Sequence, residues 1–122
     1  MSDSTTTIAQ IKEKVRVFCN DRKWDKYDCG KDLAIGIVTE ASELLGHFRF
    51  KSQAETEAMM NDIRKRAVIS DEVADVMFFL VRLCQKYGFD VTSALDSKIE
   101  TNAVRYPVDK AIGSNRKYTE LD

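Results

Sequence analysis

The sequence predicts an all-α fold. The 122 residues include one proline and five glycines, and apolar residues recur at spacings of three and four, the periodicity of helices that bury one face. A chain of this length buries enough surface for one core and leaves little material for a second. We therefore expect a single domain over residues 1–122, built from four main helices.

Two of these helices lie in the first half of the chain. Thr5–Thr7 offer hydroxyl caps for a first helix that ends near Asn20-Asp21. The second helix runs from about Asp32, which we expect to cap it, to Phe48. Their apolar stripes are formed by Ile8, Ile11, Val15 and Phe18 in the first helix and by Leu33, Ile37, Ala41, Leu44 and Phe48 in the second.

The second half is predicted to hold one long helix and one shorter helix. The long helix covers about Asn61–Tyr87 and follows a short helical turn at Ala54–Met60. Gly88 ends it, because glycine readily adopts the left-handed conformation that terminates helices. Asp90 caps the last helix, and Pro107 ends it.

The long helix contains a segment, Val76–Val81, that is apolar all the way round. Such a segment must be covered on every side, and four short helices can hardly enclose it. We therefore expect a homo-oligomer, either a homodimer or a dimer of dimers, in which this helix packs against its symmetry mate. Residues 108–122 are polar and lack a clear period, so we expect an extended or mobile C-terminal arm.

Composition excludes several partners and environments. The net charge is −1, and no basic block is present that would neutralise the phosphates of DNA or RNA, so nucleic acid is not expected as a partner. No apolar run approaches the roughly 20 residues that span a bilayer, and the polar N-terminus does not resemble a signal peptide. We expect a soluble, cytoplasmic protein with no membrane partner. The three cysteines are expected to be free thiols.

Two pairs of acids at spacing three predict a metal site. Glu40 and Glu43 lie on one face of the second helix, and Glu72 and Asp75 share a face of the long helix. Both pairs border apolar stripes, so we expect them to point inward. Converging carboxylates repel one another and lose solvation unless a cation compensates. Oxygen ligands favour Mg²⁺ or Mn²⁺, although a solvated helix surface remains the alternative.

Other residues extend this hypothesis. Gly36 lies one turn before Glu40, which would let a bulky ligand approach, and Phe79 follows Asp75 by one turn, where it could stack on a base or simply belong to the core. His47 follows Glu43 by four residues, and its role is open. A third pair of acids at spacing three is Asp25 and Asp28. A stripe on the last helix suits phosphate oxygens and a base or sugar edge; it consists of Lys98, Asn102 and Arg105.

The pattern Glu40-x-x-Glu43 followed by Glu72-x-x-Asp75 resembles the MazG-like branch of the all-α nucleoside triphosphate pyrophosphohydrolases. Within that superfamily the chain is most similar to the dCTP pyrophosphatases. The segments that carry this likeness cover nearly the whole chain: Trp24, Phe48-Arg49-Phe50-Lys51, Lys98, Asn102, Arg105-Tyr106-Pro107 and Arg116-Lys117-Tyr118-Thr119-Glu120-Leu121.

The resemblance implies a MazG-like helical bundle and an enzyme that cleaves a (deoxy)nucleoside triphosphate, with dCTP or a modified dCTP favoured, into a monophosphate and pyrophosphate. It implies that Mg²⁺, or Mn²⁺, is held by Glu40, Glu43, Glu72 and Asp75. The implied base pocket consists of Trp24, Phe50, Phe79 and Asn102, and the implied phosphate contacts are Lys98, Arg116 and Lys117.

The sequence departs from this family at positions that bear on the base. Phe50 stands where relatives often have tryptophan, Phe79 where a tyrosine can occur, and Asp28 where a histidine can contact the base. Substrate preference is therefore open, and dUTP and dATP are alternatives. The catalytic base is expected to be Glu40 or Glu43. Attack at the α or the β phosphorus remains open, as do a non-catalytic helical interaction module and a metal-storage or redox bundle.

Overall fold

The computed structural model describes all residues, Met1–Asp122, and confirms the all-α prediction. The chain forms no β-strand. Two short 3₁₀ turns, Asp25–Tyr27 and Tyr118–Glu120, accompany six α-helices. The helices are α1 (Ile8–Asp21), α2 (Gly30–Phe48), α3 (Gln53–Asn61), α4 (Ile63–Tyr87), α5 (Val91–Arg105) and α6 (Val108–Ala111).

Local capping explains most helix boundaries. Thr7 and Gln10 form a capping box at the start of α1, and the Asp90 side chain accepts a hydrogen bond from the Ser93 N–H at the start of α5. Asp62 accepts from the N–H groups of two following residues, so α4 begins at Ile63, slightly later than predicted. Gly88 ends α4 with φ of 68°, the left-handed conformation expected there.

The predicted cap of α2 is wrong. The helix begins at Gly30, two residues before Asp32, and Cys29 is the residue that caps it. Asp32 instead lies in the first turn, where its carboxylate faces the positive end of the helix dipole. The Cys29 thiol donates a hydrogen bond to Asp32 Oδ2 at 3.1 Å, so the aspartate supports this helix start from inside it.

The chain divides into two compact units, Met1–Gly88 and Phe89–Asp122. In the first unit α4 packs against α2, α1 and α3. The buried apolar residues of this unit are few: Cys19, Leu33, Met59, Ile69 and Val81. Much of its apolar surface is therefore exposed. The single-domain organisation stays a prediction.

The second unit consists of α5, α6 and the last 3₁₀ turn. Tyr106 and Tyr118 pack edge to face with ring centroids 6.0 Å apart, and the Arg105 guanidinium lies over the Tyr118 ring. Residues 108–122 thus contain two short helical segments and are less extended than expected. No helix in either unit has the length and apolar character needed to cross a bilayer.

Helices α2 and α4 run antiparallel. A Cβ atom added to Gly36 would lie 2.6 Å from the Phe79 ring, and His47 contacts Glu72 eleven residues further along α2. Residue numbers on α4 therefore fall as those on α2 rise. This register fixes which side chains of the two helices share the groove between them.

Candidate metal and nucleotide site

Three carboxylates from the paired helices converge. Glu40 and Glu43 on α2 and Glu72 on α4 each offer one oxygen, and these oxygens lie within 4.8 Å of one another. Asp75 is exposed and lies outside this closest group. Its charge nevertheless acts on Glu40. The structure therefore brings together three of the four predicted ligands and leaves the fourth within electrostatic reach.

The donor set fits a hard divalent cation. Glu40 Oε2 and Glu72 Oε2 are buried and have no hydrogen-bond partner. A buried carboxylate oxygen without a partner is unfavourable unless a cation compensates it. All-oxygen ligands match the preference of Mg²⁺ and Mn²⁺. The burial of these two oxygens without a partner distinguishes the cluster from a surface patch of acids.

The acids also perturb one another. The pKa of Glu40 lies above its ordinary value, first because its carboxyl group is within hydrogen-bonding reach of Glu43 and second because burial disfavours its charge. The negative charges of Glu43, Asp75 and Glu72 raise this pKa further. A positive ion among these groups would reverse that electrostatic contribution, so proton binding and the binding of such an ion would compete at Glu40.

His47 borders the cluster. Its Nε2 lies 3.3 Å from Glu72 Oε1, while the other oxygen of Glu72 is the buried one without a partner. The histidine can thus fix the orientation of the carboxylate by holding one oxygen and leaving the other for a cation. Outer-shell partners of this kind are typical of protein metal sites.

A row of aromatic rings leads away from the carboxylates. Trp24 packs edge to face on Phe18, with centroids 5.6 Å apart, Phe18 on Phe78 at 5.9 Å, and Phe78 on Phe79 at 5.8 Å. Two of the predicted base-pocket residues, Trp24 and Phe79, therefore belong to one continuous apolar surface. The linking residue Phe18 was predicted only as a core residue of α1.

Phe79 also occupies the space above Gly36. A Cβ at Gly36 would overlap the ring, so the glycine lets α4 approach α2 and does not leave the open space for a ligand that the sequence suggested. Phe50 is placed elsewhere, after the end of α2, with 89% of its surface exposed. Arg49 lies over its ring, and Phe50 has a φ of 66°, which a phenylalanine rarely adopts.

The remaining predicted substrate contacts lie in the second unit. Asn102 is half-buried on α5, and the others are exposed. These residues are Lys98, Asn102, Arg105, Arg116 and Lys117, and their roles in substrate binding stay predictions.

Sequence reasoning missed a buried arginine on α4. Arg82 is 5% exposed; its Nε donates to Asp28 Oδ2 at 2.5 Å and an Nη atom donates to Asp25 Oδ1 at 3.2 Å. Asp25 begins the 3₁₀ turn that directly follows Trp24, and Asp28 comes directly after that turn. The ion pairs therefore anchor the segment that carries Trp24. A basic residue within the otherwise apolar run of α4 was the available signal.

The sequence profile of the MazG-like family matches residues 35–121. The chain belongs to the MazG-like family. This match covers all four predicted metal ligands, and the family assignment agrees with the resemblance inferred from the acidic motif.

Relatives of this MazG-like chain carry the names of phosphate-bond hydrolases. It is 34% identical to dCTP pyrophosphatase 1 of Rattus norvegicus over 115 residues, which is 94% of this chain and 68% of the relative. The human protein of that name is 33% identical over the same shares. A crystal structure of a pyrophosphatase from Archaeoglobus fulgidus aligns with a TM-score of 0.78 and 29% identity, covering 88% of this chain and 98% of the other. The predicted enzyme class agrees with these names.

Proposed function

We propose that this MazG-like chain hydrolyses a deoxynucleoside triphosphate, with dCTP or a modified dCTP favoured, to the monophosphate and pyrophosphate. The observation that carries the proposal is the group of three carboxylates, two of which have a buried oxygen without a partner. Such a site suits the hard cation that phosphate chemistry requires. The dCTP pyrophosphatase relatives support the choice of base.

Glu40, Glu43, Glu72 and, at the edge, Asp75 would hold Mg²⁺ or Mn²⁺. When bound, such a cation neutralises charge on the triphosphate and on the leaving pyrophosphate. A carboxylate oxygen of Glu40 or Glu43 that is not engaged by the cation accepts a proton from the attacking water. The water oxygen bonds to the α or the β phosphorus as the bridging α–β phosphoanhydride bond breaks. The electron pair of that bond leaves with pyrophosphate after attack at the α phosphorus and with the monophosphate after attack at the β phosphorus.

The aromatic row supplies a surface for the base. Trp24 and Phe79 stand at its two ends, and Phe79 follows Asp75 by one turn of α4. A ring face near the carboxylates can stack on a pyrimidine, and stacking tolerates different bases. Discrimination between dCTP, dUTP and dATP must therefore come from polar groups, for which Asn102 is our candidate.

We also propose a homodimer or a dimer of dimers. The paired helices expose apolar side chains: Val38 is 66% exposed, Leu45 59% and Met77 51%. With only five buried apolar residues in the chain, a second copy would supply the missing cover. Sedimentation or light scattering at micromolar concentration tests this, and a monomer at that concentration would contradict it.

A substrate panel tests the activity. Purified protein is incubated with each deoxynucleoside and ribonucleoside triphosphate, with and without Mg²⁺, while pyrophosphate and orthophosphate release are followed separately. We expect pyrophosphate together with monophosphate, strict dependence on the metal, and the highest kcat/KM for dCTP or a modified dCTP. Release of orthophosphate alone, or no metal-dependent turnover, would refute the proposal.

A further inference from the structure

A cavity of about 410 Å³ lies beside the carboxylates, at the end of the groove away from the aromatic row. His47 lies on its wall and contacts Glu72, so this residue is common to the cavity and the carboxylate cluster. The apolar floor contains two buried residues, Met59 and Ile69. The remaining wall includes three cations, Lys51, Arg64 and Lys65.

The charge of this cavity has one sign. No carboxylate lines it, and the side chains of Lys51, Arg64 and Lys65 take part in none of the ion pairs of the molecule, which engage Arg16, His47, Arg82 and Lys86. Three uncompensated cations around one cavity repel one another. An anion bound among them would remove that repulsion.

The position of two of these cations is unfavourable for helix stability. Arg64 and Lys65 lie in the first turn of α4, where the helix dipole favours acids and disfavours bases. The N–H groups of both residues are already bonded to Asp62 Oδ1, each at 3.0 Å. These backbone N–H groups thus already have an acceptor, and any bound anion must be held by the side chains. A local arrangement that opposes stability is typical of functional positions.

The register of α2 and α4 places the cavity in line with the rest of the site. Gly36 faces Phe79 at one end, Glu40 and Glu72 converge in the middle, and His47 marks the border of the cavity. Lys65 lies seven residues before Glu72, on the same face of α4 and about 10 Å away along the helix axis. The groove therefore runs from aromatic rings through carboxylates to cations.

We propose that Lys51, Arg64 and Lys65 bind the terminal phosphates of the substrate, the part that leaves as pyrophosphate. This inference rests on the proposed function and adds the orientation of the bound substrate: the base lies toward Phe79 and the phosphate tail toward Lys65. The order of aromatic, acidic and cationic groups matches the order of base, cation-bound phosphate and free phosphate tail in a nucleoside triphosphate. The cations also help the pyrophosphate to leave by neutralising its charge.

Product inhibition separates the two ends of the site. Lys65→Gln removes one charge from the first turn of α4, and Lys31→Gln removes one from the first turn of α2, outside the cavity, as a matched control. Inhibition constants for pyrophosphate and for dCMP are measured for both variants and the wild type. We expect Lys65→Gln to raise the inhibition constant of pyrophosphate about tenfold, to leave the inhibition constant of dCMP unchanged, and to raise KM for dCTP. Lys31→Gln should change none of these values.

Further variants keep the result decisive. The double variant Arg64→Gln, Lys65→Gln should weaken inhibition by pyrophosphate more than either substitution alone. Lys51→Gln repeats the test outside α4. Circular dichroism checks folding, which should be preserved because Arg64 and Lys65 occupy an unfavourable helix position for cations and Lys51 is exposed outside the helices. The inference would be overturned if the double variant were inhibited by pyrophosphate as strongly as the wild type, or if inhibition by pyrophosphate and by dCMP weakened equally. Either result would leave the proposed function intact.

A calorimetric measurement isolates the cavity from catalysis. Inorganic tripolyphosphate is titrated into metal-free protein, where the carboxylates repel anions and the cations alone can attract them. We expect tripolyphosphate to bind to the wild type and its affinity to fall about tenfold in Lys65→Gln. If no nucleotide is hydrolysed but this difference appears, the proposed function fails and the anion site stands. Equal binding to both proteins refutes the anion site.

Discussion

His47 Nε2 lies 3.3 Å from Glu72 Oε1 and joins the carboxylate cluster to the cationic cavity. The contact crosses from α2 to α4 and holds one oxygen of a carboxylate whose other oxygen is buried without a partner. A single imidazole therefore orients the only ligand that α4 contributes to the closest group of oxygens. This relationship gives His47 a role beside the proposed metal site without making it a ligand.

His47→Ala should lower the affinity for Mg²⁺ about tenfold, because loss of an outer-shell partner frees the ligand it orients. Turnover should recover at saturating Mg²⁺, since no ligand has been removed. The measurement is the Mg²⁺ dependence of pyrophosphate release. A loss of kcat that excess metal does not restore would show that His47 acts on the substrate and not on Glu72.

Glu43→Ala and Asp75→Ala should each abolish metal-dependent turnover and leave the helical content unchanged. Both side chains are exposed, so their removal opens no cavity in the core, whereas each loss weakens charge compensation of the cation. Pyrophosphate release and circular dichroism are measured together. Glu57→Ala, which removes an exposed acid from α3, is the control and should be fully active; a normal rate in either test variant would contradict the site assignment.

Glu40→Gln should stabilise the metal-free protein at neutral pH and destroy its response to Mg²⁺. Because the folded state raises the pKa of Glu40 through Glu43, burial and neighbouring charges, the ionised carboxylate opposes folding above that pKa. As the pH falls through the raised pKa, the folded state takes up the proton more readily than the unfolded state, and the wild type gains stability. The variant has no such titration.

Thermal unfolding of both proteins across the acidic range, with metal removed by chelation, measures this effect. The melting temperature of Glu40→Gln should exceed that of the wild type at pH 7, and the difference should shrink as the pH is lowered. Added Mg²⁺ should raise the melting temperature of the wild type alone. A difference that grows toward low pH has the wrong sign and would disprove the account of Glu40.

The parts of this molecule that sequence could predict are those fixed by local physics. Helical periodicity located α1 and α4 nearly to the residue, and Thr7, Asp90 and Gly88 act as the caps and stop that their chemistry suggests. The inward direction of Glu40 and Glu72 followed from their positions beside apolar stripes, but the same prediction is wrong for Glu43 and Asp75, which are exposed. These features depend on residues within a few positions of one another.

The parts that sequence could not predict depend on contacts between distant segments. Asp25 and Asp28 have the same spacing as the acidic pairs of the proposed metal site, yet they bind Arg82, which is 57 and 54 residues away along the chain. The cationic cavity likewise combines residues from three helices and the connection between two of them. Spacing within one helix shows which side chains share a face, but only packing shows what that face meets.

Gly36→Ala should destabilise the first unit by about 1–3 kcal/mol, the range typical of an overpacked contact. The new methyl group would lie 2.6 Å from the Phe79 ring, which must move and shift the end of the aromatic row. KM for dCTP should rise as a consequence. Chemical denaturation gives the stability change, and Phe79→Leu combined with Gly36→Ala should recover part of it; additive losses would show that the ring is not the obstacle.

Asp28→Ala should be far more damaging than Asp25→Ala, although both acids bind the same arginine. The Asp28 side chain is 17% exposed and that of Asp25 is 71% exposed, while Arg82 is buried. Loss of Asp28 leaves a buried guanidinium with its inner partner gone, which costs about 3–5 kcal/mol; loss of the exposed partner costs about 1 kcal/mol or less. Chemical denaturation of both variants measures the difference.

The same pair of variants tests whether the arginine anchors Trp24. Trp24 is the only tryptophan, so its fluorescence reports directly on the segment that Asp28 and Arg82 hold. Asp28→Ala should shift the emission to longer wavelength as the ring gains solvent, whereas Asp25→Ala should not. Replacing Arg82 by Met in the Asp28→Ala background should recover stability, because an apolar side chain removes the unpaired charge. Failure of this recovery would mean that the aspartate stabilises the turn by itself, independently of the buried guanidinium.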